Sequence, residues 1–165
     1  MPNLRQILIG QLEDSRRNLI ALVNQAPTDG YIYPNWTLKQ YIDHISGWDD
    51  AMVEALEAHA RNEPVPQSAA RGIDAYNAQT VSTRATLDLA HSRREFAASH
   101  ERVLQTLRNL PDEKFDQLLV FPWGETGTVK DFIEIFVTHD EEHVHHLAAW
   151  LKNPHQVIGE HEPDD

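Results

Sequence analysis

Apolar residues recur three and four positions apart in four long stretches of this chain, and each stretch runs into a proline that cannot continue a helix. In the first, Leu4, Ile7, Leu8, Leu12, Leu19, Ile20, Leu22 and Val23 mark one buried stripe that ends near Ala26-Pro27. Asp29-Gly30 and Pro34 are turn chemistry, and Thr37 followed by Gln40 has the form of a capping box opening a second helix over about 38–61. Asn62, Pro64 and Pro66 stop it. The polar connection that follows is long enough for a crossover, with a short, weakly patterned helix from Ile73 to about Val81. Leu87, Leu89, Phe96, Val103, Leu104, Leu107 and Leu110 outline a third long helix over 85–110, closed by Pro111. Leu118 to Trp123 reads as an apolar loop tucked against the helices rather than a paired strand. Thr128 with Asp131 caps a last helix from Val129 to about Lys152, which Pro154 terminates. Four helices of this length predict an all-α four-helix bundle with a long connection between the second and third long helices. It occupies residues 1–153 as a single domain, with an acidic tail over 154–165.

Composition narrows the function. A formal charge of −12 repels phosphate backbones and anionic lipid, so neither nucleic acid nor a membrane surface is an expected partner. The absence of cysteine removes disulfides, thiolate metal sites and a cysteine nucleophile, so any thiol chemistry has to come from a bound molecule. Neither a signal-peptide pattern nor a run of about twenty apolar residues is present, which predicts a soluble, cytoplasmic protein. There is no Gly-rich phosphate loop, Gly-x-Ser-x-Gly elbow or His-Glu-x-x-His signature.

The histidines carry the remaining signal. At about 100° per residue, His143 lies about 40° from His139 and His146 about 20° to its other side, whereas His145 points about 120° away. Phe132, Ile135, Phe136, Leu147 and Trp150 share that face, so these imidazoles point inward. On the second helix His44 falls on the stripe of Tyr41, Trp48 and Met52. Two imidazoles at i and i+4 can grip one ion, and a third from a facing helix completes a set with open positions for water or substrate. Taken alone, His44 reads as a hydrogen-bonded core residue sooner than as a ligand. His146 can replace or supplement a ligand, or sit beside one. His59, His91, His100, His145, His155 and His161 read as solvated. Among the carboxylates, Asp43 and Asp49 read as wet-face residues, and Asp140 or Glu142 could orient a ligand imidazole through its second nitrogen. Paired Glu-x-x-His motifs are missing, which disfavours a dinuclear centre. The four tryptophans read as core or loop anchors, with Trp123 placed to wall a pocket over the metal.

Trp36-Thr37 followed by His44, together with His139-x-x-x-His143 in the last helix, resembles the DinB/YfiT-like superfamily of small metal-binding four-helix bundles. Within it, Gly72-Ile73-Asp74-Ala75-Tyr76-Asn77-Ala78 and Glu95-Phe96-Ala97-Ala98-Ser99-His100 look most like the ClbS/DfsB branch. The resemblance implies an up-up-down-down bundle, a homodimer, and one nickel or zinc ion on His44, His139 and His143. It also implies action on a small-molecule substrate, with the metal lowering the pKa of a water or a thiol. The leading expectation is a metal-dependent hydrolase in stress or detoxification chemistry. The alternatives are a thiol S-transferase or isomerase using a low-molecular-weight thiol, and a non-catalytic metal- or ligand-binding protein.

Overall fold

The computed structural model describes residues 3–154 and 157. The tail expected over 154–165 therefore falls, apart from Pro154 and Val157, outside the described residues, as do His155 and His161. Among the described residues five α-helices occur in chain order: α1 (Leu4–Val23), α2 (Leu38–Ala60), α3 (Ile73–Thr83), α4 (Leu89–Asn109) and α5 (Val129–Lys152). Among the described residues, no helix is long and apolar enough to cross a membrane.

The predicted caps form. Gln40 Oε1 accepts the Thr37 N–H at 2.9 Å, and Thr128 and Asp131 bond reciprocally at 3.0 and 3.1 Å. These bonds satisfy backbone donors that the first turn of a helix leaves open. The third long helix starts later than the periodicity predicts. Asp88 accepts the His91 N–H at 2.8 Å and caps the helix there, so residues 85–87 belong to the preceding turn.

The long helices pack as two parallel pairs, α1 with α5 and α2 with α4. Leu8 and Leu12 pack with Phe132 and Phe136, and Leu19 with Leu147 and Trp150, so α1 and α5 run the same way. Leu12 also shares a cluster with Met52 and Leu56, whereas Val23 lies with Leu38 and Tyr41, so α2 runs opposite to α1. Along the chain the directions are up, down, down, up, which corrects the up-up-down-down order. The cause is connection length. Residues 24–37 close a helical hairpin, while 61–88, carrying α3, return the chain to the end where α2 began.

The small helix α3 is seated by close approach. A Cβ on Gly47 would lie 2.4 Å from Thr80 Cγ2, so only glycine lets α2 and α3 meet there. Tyr76 then donates its hydroxyl to the Gly47 carbonyl at 2.6 Å, and Trp48 Nε1 donates to Asn77 Oδ1 at 2.7 Å.

The segment after α4 differs from expectation. A 3₁₀ turn, Asp112–Asp116, is followed by β1 (Leu119–Val120) and β2 (Thr126–Gly127), paired antiparallel with Leu119 opposite Gly127. Leu118 to Trp123 is therefore half of a small hairpin and not a simple loop. Gly124, at φ +103°, makes the turn that brings Trp123 back onto the bundle.

The apolar interior is divided. One cluster around Leu8, Met52, Leu107 and Phe132 lies toward one end, and a second around Leu19, Tyr41, Leu147 and Trp150 toward the other. Between them sits a buried polar layer of Ser15, Arg16, His44, Asp49, Ser99, His139, Asp140 and His143. Polar groups in such a layer are costly unless each is paired.

Candidate metal centre

Half of the polar layer is a closed ionic network. Arg16 donates from Nη1 and Nη2 to the two oxygens of Asp49, both at 2.9 Å, and from Nε to Asp140 Oδ2 at 3.0 Å. Ser99 donates to Asp49 at 2.7 Å and Ser15 to Asp140 at 3.4 Å, so all four long helices contribute. Burial alone would lower the Arg16 pKa, but Asp140 and Asp49 outweigh it and hold the guanidinium above its ordinary value. Asp140 and Asp49 are thus committed to Arg16, not to a histidine or to solvent. Asp43 is also buried, paired with Lys39 at 2.7 Å. For Asp43 and Asp49 the wet-face reading is corrected, because both lie where α2 turns toward its neighbours.

The other half holds the histidines. His143 Nε2 lies 3.2 Å from His44 Nε2 and 3.0 Å from His139 Nε2, and the ligand atoms of all three lie within 4.8 Å of one another. All three residues are buried, at 5% exposure or less. The i, i+4 spacing on α5 places His139 and His143 on one face, and α2 supplies His44 from opposite.

The ring orientations are fixed from behind. His44 donates its Nδ1–H to the Tyr41 carbonyl, which leaves the Nε2 lone pair facing the other two rings. Trp36 packs on the His44 ring with centroids 4.7 Å apart. The Tyr33 hydroxyl lies 3.3 Å from His143 Nδ1 and 3.0 Å from His146 Nδ1, and Tyr41 donates its hydroxyl to the His143 carbonyl at 3.2 Å. His146 therefore stands behind His143, joined through Tyr33, and outside the convergent set.

The donor set fits a divalent ion of the zinc or nickel type. Metal–nitrogen bonds of about 2.0–2.1 Å space adjacent ligand atoms about 3.0 Å apart on an octahedral face and about 3.3 Å apart in a tetrahedron. The His44–His143 and His139–His143 separations of 3.2 and 3.0 Å fall in that interval.

A cleft of about 580 Å³ opens beside His139. Trp48, Phe121, Trp123 and Phe136 line it, which gives Trp123 the pocket-wall role its sequence context suggested. Glu142 lines the same cleft.

Two histidines expected in solvent are not there. His59 is buried under the 3₁₀ turn, its Nε2 2.8 Å from the Lys114 carbonyl. His100 is half-buried, and burial, then Arg16, lowers its pKa. His145 is exposed as expected. Sequence reasoning missed Tyr33 and Arg16 as parts of this layer. The inward position of Arg16 on the α1 stripe, next to Leu12 and Leu19, was the available signal for the second.

Among solved structures, the fold is similar to the crystal structure of the mycothiol-dependent maleylpyruvate isomerase, with a TM-score of 0.75 and 12% sequence identity. The likeness covers 89% of this chain and 61% of that chain, so this chain spans about three fifths of the longer protein's length. At that identity the likeness is one of fold. No curated protein matches the chain. The model of the DinB superfamily matches residues 11–147 without separating the ClbS/DfsB branch from the rest. That match takes in α2 and most of α5, His44, His139 and His143 included, and the chain belongs to the DinB superfamily.

Proposed function

We propose that this chain is a metal-dependent enzyme that uses a low-molecular-weight thiol as co-substrate or cofactor against a small-molecule electrophile. In this reading His44, His139 and His143 hold one nickel or zinc ion, and the working form is a homodimer. The observation that carries it is the convergence of three Nε2 atoms at 3.0–3.2 Å beside an aromatic cleft. When bound, a divalent ion supplies Lewis acidity that lowers the pKa of a nearby thiol or water.

The chain's own residues do the rest. The Tyr41 carbonyl sets the His44 tautomer. With His143 ligating through Nε2, its Nδ1–H donates to Tyr33, whose hydroxyl donates on to His146. Trp48, Trp123 and Phe136 exclude water from the cleft floor, which strengthens electrostatic interactions at His139. The cleft's volume lies within the range of small-molecule sites. The chain has no cysteine, so the thiol is supplied from outside. The fold likeness to a mycothiol-dependent isomerase favours this thiol reading over the hydrolase reading.

The hydrolase reading stands second, on the presence of Glu142 in the same cleft as His139, where a carboxylate could serve as base for water. The test is metal analysis of tag-free protein followed by a panel of thiols with electrophiles. Metal-dependent thiol consumption that disappears in His143→Ala supports the proposal. Turnover without thiol would favour the hydrolase, and a metal-raised melting temperature with no turnover would favour a binding protein. Metal content below about a tenth of an equivalent after reloading ends all three.

A further inference from the structure

The cleft beside His139 has walls and a rim of different character. Its floor is aromatic, with Trp48 and Trp123 at 6.0 Å between ring centroids and Trp123 and Phe136 at 6.1 Å. Its polar lining includes four carboxylates, Glu125, Asp131, Glu134 and Glu142, while no lysine or arginine is among the described residues that line it. Asp131 accepts the Thr128 N–H at 3.0 Å, and this bond holds its carboxyl below the usual range, so it stays charged at neutral pH. Glu134 faces Lys130 at 3.3 Å across an exposed pair, which screens it weakly. Glu125 and Glu142 form no ion pair among the described residues.

We propose that this aromatic cleft takes carboxylate-free ligands, neutral or cationic, and rejects anionic ones of the same shape; the proposal rests on the cleft being the binding site of the function proposed above. A carboxylate entering the cleft would lose hydration against the rings and meet four like charges; the lining offers no lysine or arginine, and one divalent ion on His139 would offset only half of that formal charge. An ammonium meets the opposite situation, since the rim attracts it and indole faces stabilise it further. The consequence reaches both reactants. The thiol is one without carboxylate groups, and the electrophile is a flat apolar molecule, uncharged or bearing an amine.

Equilibrium dialysis with three probes of one shape tests this: naphthylmethylamine, naphthylmethanol and naphthoate, each against the protein as purified and after chelation. At low ionic strength the amine and the alcohol should bind, with naphthoate at least about tenfold weaker than the amine. The gap should narrow at about 1 M salt, where the screening length is about 3 Å. It should also narrow in the Glu125→Gln, Glu142→Gln double variant, which alters partly or fully exposed side chains. Trp123→Ala should weaken all probes alike, locating the binding. Naphthoate binding as well as the amine in chelated protein, no binding by any probe, or indifference to Trp123→Ala would each overturn the proposal. If the ranking holds but no thiol is consumed, the selectivity stands and the proposed reaction falls.

Discussion

Arg16 and His143 lie buried in the same layer of the bundle, yet their surroundings are built differently. All three guanidinium nitrogens of Arg16 donate to carboxylates, and those carboxylates accept further bonds from Ser15 and Ser99. Positive charge there is answered within the protein, by groups from four helices. Around His143 the pattern inverts. Backbone and hydroxyl groups hold the rings from behind, and three Nε2 atoms turn toward a common point next to a cleft. A closed network stabilises one arrangement of helices, whereas a convergent set of nitrogens could hold a cation. Adjacency on α5 makes the contrast sharp, because Asp140 belongs to the first and His139 to the second.

The largest expected effect tests the closed half. Arg16→Met leaves Asp49 and Asp140 buried without their countercharge and should cost about 3–5 kcal/mol in urea unfolding, the range for breaking a buried pair. A loss below about 1 kcal/mol would show that the two carboxylates do not depend on Arg16 and would erase the contrast. Next, nickel or zinc at a hundredfold excess over its Kd should stabilise the wild-type protein by about 2.7 kcal/mol, and His143→Ala should gain nothing. Equal metal-induced shifts of melting temperature in the two proteins would remove His143 from the centre.

A smaller change probes the link between the centre and its support. Tyr33→Phe removes the hydroxyl behind His143 and should weaken metal binding about tenfold in chelator competition, with the unfolding midpoint of the metal-free protein nearly unchanged. The smallest effect concerns His100 at the edge of the Arg16 network. Its folded pKa lies below the ordinary value of 6.5, so the unfolded chain binds the proton more readily. The stability associated with neutral His100 is full above pH 6.5 and is lost as pH falls from there through the folded pKa. His100→Gln should flatten that part of the stability profile. A His100 titration midpoint at or above 6.5 by NMR would contradict the burial argument.

Much of this architecture was legible because it is local. Apolar spacing located the long helices, and Thr37-Gln40 and Thr128-Asp131 announced their starts. Facing angles on one helix were enough to turn His139 and His143 inward together. What misled was the assumption that a carboxylate on a helix faces water. Asp49 does not, and Asp140 bonds to Arg16 rather than orienting an imidazole, because Arg16 on α1 reaches both, from 33 and 124 positions away in the chain. His59 was misread for a similar reason, since the 3₁₀ turn that covers it lies 55 positions further on.

By itself, then, the sequence determined the helices, their caps, the shared face of His139 and His143, and the need for an external thiol in any thiol chemistry. Local backbone preference and side-chain period act within a turn or two, and those features depend on nothing longer. Only the tertiary structure decided that His44 meets His143 across 99 positions, that α4 runs parallel to α2, and that Trp123 folds back over a cleft with an acidic rim. These depend on how the helices pack and on which polar groups find partners in the layer between the two apolar clusters, and no periodicity along the chain encodes that pairing.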